Sequence, residues 1–119
     1  MGTLPSSLVY LTGLVSLSLN GNSLYSTLPS TLSSLTNLVL LGLGANMFTG
    51  TIPTSYASLV KLNALLLSGN SLTGTVPSTL CNLPINQLGI SNVGLCYQSC
   101  LSTVLSFSPG VAFLCTPCK

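Results

Sequence analysis

One spacing constrains this chain more than anything else in it: a set of apolar positions recurs every 24 residues. The first full copy reads Leu11, Leu14, Leu17, Leu19, Asn22, Leu24, Leu28, Pro29, Leu32. The second reads Leu35, Leu38, Leu41, Leu43, Asn46, Phe48, Ile52, Pro53, Tyr56, and the third Leu59, Leu62, Leu65, Leu67, Asn70, Leu72, Val76, Pro77, Leu80. Upstream, Leu4, Pro5 and Leu8 match the tail of an earlier copy. Downstream, Leu83, Leu88, Ile90, Val93 and Leu95 match a fourth copy that is one residue short. A period of this length marks a stacked architecture. No single copy can bury its own apolar edge, so stability must come from neighbours lying on one another.

Within each copy the chemistry is position-specific. The alternation Leu17-x-Leu19 predicts a strand with one buried face. Stacking then predicts Leu17, Leu41, Leu65 and Leu88 side by side in one parallel sheet. Asn22, Asn46 and Asn70 fall where the chain must turn, and a side-chain amide there can satisfy backbone groups otherwise buried unpaired. The fourth copy has Val93 at this place, which predicts a rebuilt turn. Pro29, Pro53 and Pro77 punctuate the return path, where a fixed φ and a missing donor are tolerated.

The pattern LxxLxxLxLxxNxLxGxIPxxLxx resembles the plant-specific class of the leucine-rich-repeat family, found in plant receptor ectodomains and polygalacturonase inhibitors. The resemblance covers residues 2–95. It implies an α/β-type repeat solenoid: a right-handed superhelix with a parallel concave sheet and a mostly 3₁₀ or irregular convex side. On this reading residues 1–95 are leucine-rich repeats, made of a partial first coil, three full repeats and one shortened repeat. Residues 96–119 form a Cys-rich C-terminal capping segment, with an apolar stretch at 104–114 and a short helix near 99–105. The Cys-bearing N-terminal cap usual in the family is not seen, and the coil starts halfway, at Gly2. Leu4, Leu8 and the edges of Leu14 and Leu17 are therefore expected to be partly uncovered, or to meet another chain by self-association.

Five cysteines, Cys81, Cys96, Cys100, Cys115 and Cys118, crowd into the last third of the chain. They predict an oxidising compartment, hence a secreted or cell-surface protein, and two disulfides that staple the C-terminal end. Cys81, on the last full repeat, is placed to tie the cap to the repeats. Cys118 is the expected odd cysteine, free or linked to a partner. Cys115 and Cys118 form a C-x-x-C, but without His or a second close pair no zinc site is expected, and no other metal or cofactor.

Charge excludes several function classes. The sequence has no Asp, Glu or His, and its only side-chain cations are Lys61 and Lys119. General acid–base catalysis has no residues to use, a Cys nucleophile lacks a His partner, and no phosphate-cradling Gly loop is present; no enzyme is expected. There is no basic patch for nucleic acid. The richest apolar run, 38–45, is far shorter than the roughly 20 residues of a membrane span, and no basic-then-apolar leader is visible at the start. No Asn-x-Ser/Thr sequon occurs, so Asn-linked glycans are not expected.

Function should sit on outward positions. On the concave sheet these are Ser16, Ser18 and Asn20; Leu40, Gly42 and Gly44; Ala64, Leu66 and Ser68; Gln87, Gly89 and Ser91. This face is small, uncharged and partly apolar, with Leu40 and Leu66 expected side by side, and it suits a protein or glycan ligand. The alternative surface is the flank before each Pro. Thr3, Thr27, Thr51 and Thr75 recur there in phase, beside Tyr25, Thr49 and Thr73, and are expected to form ladders about 4.8 Å apart. Such a charge-free threonine array resembles the ice-binding faces of repetitive antifreeze proteins, which makes ice the alternative ligand. Tyr25 and Ser26 interrupt its Thr-Gly-Thr pattern in the first full coil.

Overall fold

The structure is a computed structural model and describes residues 1–90 together with the backbone of residues 95–96. The proposed cap helix, Ser91, Val93, Cys100, Cys115, Cys118 and the Cys96 side chain lie outside the described residues. Each 24-residue copy makes one coil. Strands β1 (Ser16–Ser18), β3 (Leu40–Gly42), β5 (Ala64–Leu66) and β8 (Gln87–Gly89) form one parallel sheet in the order β1-β3-β5-β8. Leu17 pairs with Leu41, Leu41 with Leu65, and Leu65 with Leu88, as the alternation predicts. A second parallel sheet joins β2 (Tyr25–Thr27), β4 (Met47–Gly50) and β6 (Ser71–Leu72) along one flank. A third pair, β7 (Gly74–Thr75) and β9 (Leu95–Cys96), continues that flank in the last coil.

The return path consists of single 3₁₀ turns, Ser6–Tyr10, Ser30–Ser34, Thr54–Ser58 and Ser78–Asn82. A proline stands at the N-cap of each: Pro5, Pro29, Pro53 and Pro77, with φ between −57° and −68°. Proline's ring holds the extended entry that the turn needs, and its missing N–H is not called on there. The turns press Leu32, Tyr56 and Leu80 into the core, while Leu8, in the first turn, is half-buried. Tyr56 occupies a slot that is leucine in the neighbouring coils. Its ring is fully buried, and its hydroxyl donates to the Pro29 carbonyl of the preceding coil at 3.0 Å.

The asparagines stitch coils together. The Asn46 amide nitrogen donates to the carbonyls of Leu43 (3.0 Å) and Gly44 (3.1 Å) in its own coil and of Leu19 (3.0 Å) in the one before. Its oxygen accepts the Leu24 N–H at 3.1 Å. Asn70 repeats the arrangement with Leu67, Leu43 and the Phe48 N–H. Asn22 reaches the Leu19 and Asn20 carbonyls within its own coil. A buried amide of this kind is stable only because every donor and acceptor finds a partner.

Two left-handed positions recur per coil, and the sequence serves them unevenly. Gly21, Gly69 and, between them, Ala45 have φ of 72°, 76° and 51°; Gly50, Gly74 and, before them, Ser26 have φ of 80°, 86° and 98°. A Cβ at such φ costs roughly 1–2 kcal/mol, offset in part by the greater chain entropy glycine loses on folding, about 0.5–1 kcal/mol. Ser26→Gly is therefore expected to stabilise the protein by about 0.5–1 kcal/mol, read as a higher midpoint of chemical unfolding. A lower midpoint would mean that the serine is held there by something other than the backbone pattern.

Candidate functional site

The concave sheet brings the expected residues onto one face, but not all of them to the surface. Ser16, Ser18, Asn20 and Gln87 are exposed, and Leu40, Leu66 and Ser68 are half-buried. Gly42, Gly44 and Gly89 are buried, and Ala64 is only 5% exposed. Gly42 and Ala64 thus offer little to a ligand, contrary to the sequence expectation. Their larger neighbours cover them. A Cβ on Gly42 would lie 2.6 Å from the Asn20 amide nitrogen, and one on Gly89 would lie 3.5 Å from a Leu66 methyl. Leu40 and Leu66 are also not side by side. Leu40 stands opposite Ala64, and Leu66 opposite Gly42 and Gly89, so the two leucines are diagonal neighbours. Leu66 reaches over Gly89, while Leu40 is the register partner of Ala64.

At the first coil a polar clasp forms. Asn20 donates to the Ser18 hydroxyl at 3.0 Å and accepts the Gly44 N–H at 2.6 Å. The face carries no titratable side chain. Lys61, the only side-chain cation among the described residues, lies off it and donates to Asn37 at 2.8 Å; Asn37 in turn donates to the Thr12 carbonyl at 3.0 Å.

On the flank, Thr3, Tyr25, Thr27, Thr49, Thr51, Thr73 and Thr75 are all exposed. Their neighbours are not the ones expected. Thr27 pairs with Thr49 and Thr49 with Ser71, while Tyr25 pairs with Met47. The offset between adjacent coils here is 22 residues (27 to 49, 49 to 71), against 24 in the concave sheet (17 to 41). The flank segments run obliquely, so hydrogen-bonded neighbours slip by two residues from the repeat-equivalent ones. A slip of two keeps the same residues facing outward. It places Tyr25 and Met47, 46% and 41% exposed, as a bulky pair among the threonines. The Thr27 and Thr51 methyls are turned along the stack. They lie 3.1 and 3.0 Å from where a Cβ on Gly50 or Gly74 would be, so a side chain there would press on a threonine methyl besides meeting an unfavourable φ.

Sequence reading missed a second exposed apolar strip. Tyr10, Leu11, Val15, Val39 and Val60 are 39–81% exposed and lie on the side where the chain enters the concave strands. Val15 and Val39 are adjacent, the Val39 N–H bonding the Val15 carbonyl at 2.7 Å. The available signal was Val15 and Val39 just before their strands, where later coils have Asn63 and Asn86. At the first coil an open depression of about 370 Å³ is lined by Leu4, Leu19 and Leu24 among others. Leu4, Leu8 and Leu14 are half-buried there as expected, whereas Leu17 is 9% exposed and belongs to the core. Cys81, half-buried on the last 3₁₀ turn, is disulfide-bonded. Among the described residues no helix is long and apolar enough to cross a membrane.

Comparison with known proteins agrees with this geometry. The Leucine Rich Repeat family profile matches residues 13–35 and 61–83. The PEPR1–AtPEP1 complex contains a chain that is 28% identical, with a TM-score of 0.76 over 87% of this chain and 15% of that one. The BIR3–SERK2 complex from Arabidopsis thaliana gives 37% identity and a TM-score of 0.69 over 80% of this chain and 50% of its counterpart. A plant ice-binding protein gives 31% identity and a TM-score of 0.70 over 82% of this chain and 31% of its own length. This chain spans from 11% to 51% of the length of such structures. No curated protein matches the sequence.

Proposed function

The chain belongs to the leucine-rich-repeat family, and from that premise we propose that it is a non-enzymatic extracellular recognition module whose concave sheet holds a protein ligand, most simply an extended peptide. One observation carries this reading: four strands in unbroken parallel register hold Ser16, Leu40, Ser18, Leu66 and Gln87 on one rigid, charge-free face. A face held rigidly needs little ordering on binding, which favours affinity. The absence of charge selects a ligand segment that is itself largely uncharged, because a buried unpaired charge is costly. Similar structures include a receptor bound to a peptide hormone and a co-receptor. The disulfide at Cys81 is in keeping with an oxidising, extracellular setting.

The test is selection of a displayed random-peptide library on the immobilised protein and on Leu40→Arg, with Arg placed at the centre of the face. Sequences enriched on the parent and lost on Leu40→Arg are the expected result. Enrichment that survives the substitution would move the site elsewhere, to the apolar strip around Val15 and Val39 or to a self-association surface. Glycan arrays on the same two proteins test a glycan ligand in the same way.

Ice is the second reading. It is favoured by the exposure of Thr27, Thr49, Thr51, Thr73 and Thr75 on one charge-free flank, and by the likeness to the plant ice-binding protein. Faceted ice crystals and a hysteresis gap in the parent, both lost in Thr49→Lys, are what it requires. Round crystals in the parent would dismiss it.

A further inference from the structure

Asn20 and Gly21 form the only Asn–Gly step in the chain, and both residues are exposed at the edge of the concave sheet. We propose that this step is a covalent modification site at which the Asn20 amide is converted to a carboxylate, gated by the contacts that hold it to the second coil. The reaction needs only water. The Gly21 backbone nitrogen attacks the Asn20 side-chain carbonyl carbon and closes a five-membered imide, and the amide nitrogen leaves as ammonia with the displaced proton. Water then opens the imide at either carbonyl. One opening leaves aspartate; the other leaves isoaspartate, with the main chain running through the former side chain. Both gain one carboxylate, which ionises at neutral pH. Glycine is the follower that hinders the attack least, and a Cβ-free Gly21 has nothing packed within 4 Å of where a side chain would be.

The structure opposes this reaction through contacts that must open before the ring can close. Attacker and target are both tied to one residue of the next coil: the Gly21 N–H donates to the Gly44 carbonyl at 3.0 Å, and the Gly44 N–H donates to the Asn20 oxygen at 2.6 Å. The Ser18 hydroxyl holds the departing nitrogen at 3.0 Å. Ring closure requires the Gly21 nitrogen to leave its carbonyl and turn onto the amide carbon, so all three contacts must open together. β1 is the end strand of the described sheet and pairs only with β3. Gly42 completes the gate, since the Asn20 amide lies where its Cβ would be. The consequence is large for this chain. With no Asp or Glu anywhere in the sequence, a single event supplies its first side-chain carboxylate, on the face proposed above to select uncharged ligands. The chemistry stands without that reading; only the effect on binding rests on it.

The experiment is incubation of the intact protein at mildly alkaline pH, followed by isoelectric focusing and peptide mapping. A new, more acidic form should focus below the parent protein, with its carboxylate at residue 20. Formation should be roughly tenfold or more slower than in the same chain held unfolded in denaturant. Gly42→Ala, which displaces the amide, and Ser18→Ala, which frees it with less disturbance to the fold, should both accelerate the reaction. Asn20→Gln should abolish the form. First conversion at Asn22 or Asn70, each followed by Ser, would overturn the proposal, and so would equal rates in the folded and unfolded chain. Reduced peptide selection by the acidic form would test its consequence separately.

Discussion

Replacing Leu41 by alanine is expected to lower the free energy of unfolding by about 2–5 kcal/mol. Leu41 is fully buried, with Leu17 on one side and Leu65 on the other in the concave sheet. Shortening it removes apolar contacts with both neighbours and leaves a void that the strands, tied in register, cannot close. The loss should exceed that of Leu17→Ala, because Leu17 retains 9% exposure and has a coil on one side only within the described sheet. Chemical denaturation of the two variants measures the difference. In a stacked architecture each coil is stabilised chiefly by its neighbours. A loss at Leu41 below about half a kcal/mol, within the scatter of an ordinary surface substitution, would mean that the core is placed wrongly.

Stability should be nearly flat from neutral pH down to about pH 3 and should then fall steeply above about pH 10. Acid unfolding of most proteins reflects carboxylates and histidines that must take up protons, and this sequence contains none as side chains. On the alkaline side Tyr56 dominates. Burial pushes its phenol far above the ordinary value of about 10. The folded state thus keeps the proton after the unfolded chain has released it. The stabilisation is complete below the unfolded pKa and is lost as pH rises past about 10 toward the folded pKa, by roughly 1.4 kcal/mol for each pH unit. The ionised ring would also lose its bond to the Pro29 carbonyl. Tyr56→Phe should cost about 1 kcal/mol at neutral pH through that bond, and it should flatten the alkaline limb. An alkaline limb unchanged in Tyr56→Phe would assign the loss to another group, and acid unfolding near pH 4 would contradict the charge argument outright.

The architecture was legible because it depends on period alone. A 24-residue recurrence of Leu17, Leu41 and Leu65 admits one arrangement that buries all three, and the structure places them in that register. The turn role of Asn46 and Asn70 followed from the same logic, since a tight coil leaves backbone groups that an amide can satisfy. Outward positions obey no such constraint. Whether Gly42 is surface or floor depends on where the Asn20 side chain comes to rest, and Asn20 belongs to the preceding coil.

The threonine flank shows the same division. Its residues face outward as their alternation implied, but the partner of Thr27 is Thr49 and not Thr51. Sequence phase counts residues along the chain, whereas adjacency depends on the angle at which each segment crosses the stack. That angle is a relation between neighbouring coils, so it exists only once the coils are assembled. Periodicity therefore identifies which side chains are buried, since burial follows from the alternation of a single strand. Contacts between exposed side chains are settled between strands, by register and tilt, and a ligand meets those contacts and not the repeat.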